Sequence, residues 1–242
     1  MSVLDNPVWW AILGPQRGLA TTTSLAARFD PAVSPFGAFS GEPTPDHCSD
    51  LARLVGTGGT VALTGETGRP PAEWSVLRKL PGVQMLGDRL RPAPTMPEAS
   101  APPPDRPQPL GDRDVPDMLD LVADAEPGPF LLRTVEFGGY LGVRRQGRLV
   151  AMAGERLRPP GYAEVSAVAT ATDCRQQGLG ELVVRAVAAA VLARGEVPFL
   201  HASSDNSGAI RLYERMGFTL RREVSFLVVQ APTDPGPGDA GR

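Results

Sequence analysis

Residues Tyr162–Gly180, YAEVSAVATATDCRQQGLG, bring two carboxylates, a guanidinium and two glycines into one short stretch. Val165, Val168 and the run Ala167–Thr170 suit a buried strand. Asp173 breaks that run. Arg175-Gln176-Gln177-Gly178-Leu179-Gly180 follows, and a helical pattern begins at about Leu179. A strand end, a glycine turn and a helix start gather unpaired backbone N–H groups where the helix dipole favours negative charge. Glycine lets an anionic oxygen approach without a Cβ in the way, and Arg175 adds a charge-assisted contact. The loop is a candidate pyrophosphate cradle, with a plain tight turn as the alternative.

Two common cradles are excluded. The Walker pattern needs a lysine after its second glycine, and the only lysine in the chain is Lys79. The dinucleotide fingerprint needs a third small residue, and Val183 stands there. Downstream lies NSGAIRLYERMGF, in which Asn206, Ala209, Tyr213, Gly217 and Phe218 sit on and around a short helix. Ser204, Asp205 or Asn206 can cap that helix, and Gly217 can end it.

The loop resembles the acyl-CoA-binding segment of the GNAT superfamily of N-acetyltransferases, R/Q-x-x-G-x-G/A. Tyr162–Gly180 is similar without gaps to the histone-type members, and the second segment fills the pattern N-x-x-A-x-x-x-Y-x-x-x-G-F. Both motifs stand in the family's order, over about residues 108–230. GERLRPPGYAEVSAVAT and PFLHASSDNSGAIRLYERMGF look like the branch with an added N-terminal lobe, related to glycine N-acyltransferase-like proteins. The resemblance implies an α/β (α+β) fold with a mixed, mostly antiparallel sheet flanked by helices and preceded by a smaller α/β lobe. It implies acetyl-CoA as co-substrate, an amine acceptor and no metal.

Such a reaction needs an amine that has lost its proton, a stabilised thioester oxygen and a protonated leaving thiolate. Glu164 is the candidate base by resemblance. An ordinary Glu, with a pKa of about 4.3, would need partial burial to serve, and a structural carboxylate is the alternative. Tyr213 is the candidate acid, since a phenol with a pKa of about 10 can donate to a thiolate; its alternative is a core aromatic. The resemblance assigns backbone amides of Val168, Ala169 and Thr170 to the acetyl carbonyl and pantetheine. It assigns the loop Arg175–Gly180, with Asn206 and Ala209, to the rest of the CoA, although Asn206 can equally be a helix cap. Cys174 reads as a bystander, and His201 as a core or surface histidine. A non-catalytic acyl-CoA-binding regulatory protein is the rival reading.

The elements that must position these residues fall into two units. Residues 1–91 read as an α/β lobe, with strand-like Leu19–Phe29, a helix at Asp50–Val55 capped by Ser49 or Asp50, and strands at Thr60–Thr64 and Val83–Leu86. Residues 92–109 hold eight prolines and read as a semi-rigid linker. Residues 110–230 follow, with a helix from Asp114 to about Ala125 and strands Tyr140–Arg145 and Leu149–Leu157 around a Gln146-Gly147 turn. A helix Leu179–Arg194, a strand Val197–Ser203 and a strand Phe218–Val229 complete the unit. Residues 231–242 read as a disordered tail.

An apolar fraction of 42% is that of a globular protein, and a net charge of −3 points to neither nucleic acid nor a membrane surface. Two cysteines and two histidines make no disulfide framework or metal set. No apolar run approaches a membrane span. The expectation is a cytoplasmic protein, and a homodimer is compatible with it.

Overall fold

The turn at Gln146-Gly147 closes as its composition predicts, both residues having positive φ (51° and 84°). It joins β7 (Leu141–Arg145) to β8 (Arg148–Glu155), which pairs antiparallel with β9 (Tyr162–Thr170). The computed structural model describes residues 2–65, 72–90, 105–125 and 128–233. After β9 come α4 (Leu179–Ala193), β10 (Val197–Ser203), α5 (Ser207–Met216) and β11 (Thr219–Gln230). Before β7 stand β6 (Gln108–Pro109) and α3 (Val115–Ala125). The first third holds α1 (Pro7–Leu13), β1 (Ala20–Thr22), β2 (Ala26–Phe29), β3 (Gly37–Phe39), α2 (Pro45–Val55), β4 (Thr60–Leu63) and β5 (Ser75–Leu86).

The main sheet has the order β4-β11-β5-β10-β9-β8-β7-β6, and β1-β2-β3 form a small second sheet. Within the main sheet only β9 and β10 pair in parallel. This is the mostly antiparallel, helix-flanked sheet that the motifs imply. Its composition along the chain differs from the expected partition at residues 92–109. β4 and β5 come from the first unit, yet β5 lies between β10 and β11. Val83 and Met85 explain why: both are buried in the cluster that holds Leu200 and Phe218. The first half of β5, SVLRKLP, shows no clean alternation and is held as strand by its ladder to β11.

The two faces of the sheet are covered differently. Met118 and Leu121 of α3, Val183, Val184 and Val187 of α4, and Met216 of α5 pack on one face. Their helical spacing places these side chains on single stripes. On the other face Leu4, Val8, Trp9, Ile12 and Phe29 pack with Leu157 and Phe199. The N-terminal segment therefore forms a layer over the strands that carry Glu164.

α2 starts five residues before the expected Asp50. Pro45 takes its first position, and His47 Nδ1 lies 2.7 Å from the capping Thr44 Oγ1. The proline-rich residues 91–104 and the tail residues 234–242 lie outside the described residues, while Gln108–Pro109 pairs with β7 and Ala231 is buried. Among the described residues no helix is long and apolar enough to cross a membrane, and no cluster of His, Cys, Asp and Glu could hold a metal ion.

Gly217 ends α5 with φ 105°, and a Cβ there would overlap the Arg89 carbonyl. Gly217→Ala should therefore lower stability by roughly 2–3 kcal/mol, read as a shifted urea midpoint at constant slope.

Candidate functional site

The glycine loop lies where β9 hands the chain to α4. Gly178 is the N-cap of α4 with φ 79°, and Gln176 also has positive φ (62°). A Cβ on Gly178 would meet nothing within 4 Å, so the space in front of it is open. The amides of Gly178, Leu179 and Gly180 have no acceptor among the described residues. Three unsatisfied donors thus stand at the positive end of a 15-residue helix, where the dipole favours negative charge. Glu181 in the first turn is neutralised by Arg185 at 2.7 Å. Arg175 is exposed and only brushes the Thr170 carbonyl, at 3.5 Å. Gln177 is held from behind by Arg145 (2.5 Å), which also grips Asp105 through two contacts of 2.8 Å. Cys174 is buried behind the loop, 3.7 Å from Arg148.

A cleft opens beside the cradle because β9 and β10 part. They pair over Val197–Phe199 against Tyr162–Glu164 and no further. From Val165 to Thr170, β9 keeps only its β8 neighbour. Ala167, with φ 51°, marks the bulge in that ladder. The half-buried Val168 and Thr170 and the buried Ala169 thus line an edge of free backbone groups.

The second motif follows β10, the other strand of the pair. Asn206 Oδ1 accepts from the Ala209 amide at 3.0 Å, so its carbonyl caps α5. Ala209 is half-buried against the core. Tyr213 is 7% exposed and meets Phe218 edge-on at 5.9 Å. Burial pushes its phenol up to about 12. Its hydroxyl has no hydrogen-bond partner among the described residues.

Glu164 is a correction to the expected base. It is fully buried, and both oxygens are occupied. Arg156 Nε donates to Oε2 at 3.0 Å and its Nη2 to Oε1, while His201 Nδ1 lies 2.7 Å from Oε1. Burial alone would raise the carboxyl. The Arg156 charge, then His201, outweigh it and hold Glu164 at about 2. A carboxylate held at about 2, with three of its roughly four lone-pair sites taken, is a weak base for an ammonium.

His201, read as a core or surface histidine, and Arg156, Gln84 and Arg221, given no role by the sequence, belong to this network. Arg156 could have been found from register. Glu155 pairs with Val165, which sets Arg156 opposite Glu164 across the hairpin. Gln84 comes from β5, whose place in the sheet no local pattern announces. A polar cavity of about 290 Å³ lies on the β5–β11 side of the sheet, bordered by Gly65, Gly82, Ser204, Arg222 and Val224.

A family model described as FR47-like protein matches residues 140–227. Among solved structures, one described as a GNAT-family acetyltransferase from Novosphingobium aromaticivorans is 39% identical, with 96% of this chain and 100% of that one covered and a TM-score of 0.83. A GCN5-related N-acetyltransferase from Kribbella flavida is 17% identical over 92% of this chain and 95% of that one, at TM-score 0.55. A GCN5-related N-acetyltransferase-like protein from Streptococcus suis is 16% identical over 92% of both chains, at TM-score 0.53. No match was found among curated proteins.

The folded state holds Glu164 below its unfolded value of about 4.3. Its contribution is therefore complete above that value and is lost as pH falls towards 2. Glu164→Gln should destabilise by about 3–5 kcal/mol at neutral pH. Denaturant melts should show that gap narrowing below about pH 4.

Proposed function

The chain belongs to the GNAT family of acetyltransferases, and on that premise we propose that it transfers an acetyl group from acetyl-CoA to an amine by direct attack on the thioester. One observation carries the reading. The helix N-terminus that leaves the Gly178, Leu179 and Gly180 amides unsatisfied closely follows the strand edge that β9 leaves open where β10 parts from it. The pyrophosphate would lie on Gly178, Leu179 and Gly180, with Arg175 beside it and Gln176 and Gln177 shaping the loop. The pantetheine would follow the free edge of Val168, Ala169 and Thr170, with Asn206 and Ala209 opposite. The N-terminal layer supports placing the chain with the glycine N-acyltransferase-like branch.

The amine nitrogen attacks the carbonyl carbon, and backbone amides of β9 receive the developing oxyanion. The C–S bond then breaks and the electron pair leaves on sulfur. Tyr213 donates a hydrogen bond to that thiolate. With the phenol at about 12 and a thiol near 8.5, full transfer from Tyr213 is uphill, so the thiol takes its proton finally from solvent. The ammonium proton leaves through water at the mouth of the cleft, since Glu164 is fully buried and, at about 2, a weak base. Rate should thus rise with pH through the acceptor's own pKa, with no limb belonging to Glu164.

Calorimetry with CoA and a thiol-release screen over amines test the proposal. Gly178→Val and Gly180→Val should abolish CoA binding. Tyr213→Phe should lower kcat about 10–100-fold and leave CoA affinity nearly unchanged. Unchanged affinity in the glycine variants would overturn the cradle. Binding without turnover of any amine would instead mark an acyl-CoA-binding regulatory protein.

A further inference from the structure

The residues around Glu164 form one continuous polar chain that crosses the sheet at the point where β9 and β10 separate. Phe199 and Glu164 are the last backbone partners of the two strands. Two residues on, His201 bonds the Glu164 carboxylate. That side-chain bond spans the gap just past the point where the backbone ladder ends. His201 pairs directly with Gln84 of β5, and their Nε2 atoms are 3.0 Å apart. Gln84 Nε2 also donates to the Leu4 carbonyl at 3.0 Å, and its Oε1 accepts from Arg221 at 2.7 Å. Arg221 in turn bonds Asp5 at 2.5 Å. The chain therefore runs from the β8–β9 connection across β9, β10, β5 and β11 into the N-terminal segment.

The hydrogen-bond directions fit only one way. Arg221 and Leu4 orient the Gln84 amide, so its nitrogen faces His201. His201 Nε2 must then accept, and Nδ1 carries the proton given to Glu164. The surroundings are dry. The His201 ring lies edge-on to Phe199 at 5.7 Å and to Phe226 at 5.4 Å, and the Arg156 guanidinium sits 5.1 Å from the Phe36 ring centroid. A satisfied polar network in such a setting permits one geometry and penalises others heavily.

We propose that Glu164, His201 and Gln84 are positioning residues that set the opening of the β9–β10 cleft, and with it the placement of the acyl carbonyl. The N-terminal residues Leu4 and Asp5 then help hold the catalytic geometry, although they lie far from it in sequence. The inference rests on the acyltransferase reading above. It differs from that reading in what fails: the cradle on α4 lies outside the network, so CoA should still bind when the network is cut.

The test uses the full chain and two variants. Gln84→Met keeps the volume and removes both polar ends. His201→Asn keeps an N–H in the place of Nδ1 for Glu164 and loses the link to Gln84. Gln84→Met should lower kcat about 10–100-fold, equally at every pH, with the Kd for CoA within about threefold. His201→Asn should lose less. Hydrogen exchange at the Phe199–Ala202 amides should quicken in Gln84→Met, a readout that needs no turnover. Three outcomes would overturn the proposal: kcat and exchange both unchanged in Gln84→Met, a loss that disappears at high pH as a missing base would give, or CoA affinity falling as far as kcat. If Gln84→Met does not fold, the same criteria applied to His201→Asn decide. Failure of the wild type to bind CoA would sink the acyltransferase reading instead, and the exchange data would still judge the network.

Discussion

Everything at the cleft depends on two parallel strands that pair briefly and then part. A parallel ladder ordinarily continues, because each broken backbone bond leaves groups that want partners. Here the bulge at Ala167 turns β9 away, and β5 takes the opposite edge of β10. The backbone groups of β9 freed there are left without a strand partner on that side. The proposed roles of the α4 N-terminus, the β9 edge and Tyr213 all depend on that separation.

Holding the strands apart calls for a fixed contact at the point of separation. The Arg156–Glu164–His201 group supplies it with buried charge. Such pairs add little net stability compared with an apolar replacement, since desolvation offsets the attraction. Their geometry is strict, however, and leaving one partner alone is severely unfavourable. That asymmetry suits a device whose task is to define an angle.

Much of this was legible in the sequence. The glycine loop, the helix behind it, the Asn206–Phe218 segment and the Gln146-Gly147 hairpin rest on local rules, and the elements fall close to where those rules put them. Glu164 was legible as a residue and not as a chemical group. Its burial and partners are set by Arg156 across a hairpin and by His201 on a strand reached only after α4. β5 was half visible. Val83–Leu86 reads as a strand from its apolar residues, whereas Ser75–Pro81 becomes strand through pairing with residues more than a hundred positions later. No window of local sequence contains that information.

The place of β5 also orders events in time. It leaves the ribosome well before β10 and β11, so it must wait for two partners that arrive from the far end of the chain. Long-range closure of this kind is slow and leaves strand edges uncovered meanwhile. A fragment beginning after the proline-rich stretch would carry both sequence motifs and still lack the strand between β10 and β11. The motif-bearing region and the unit able to fold are, in this protein, different lengths of chain.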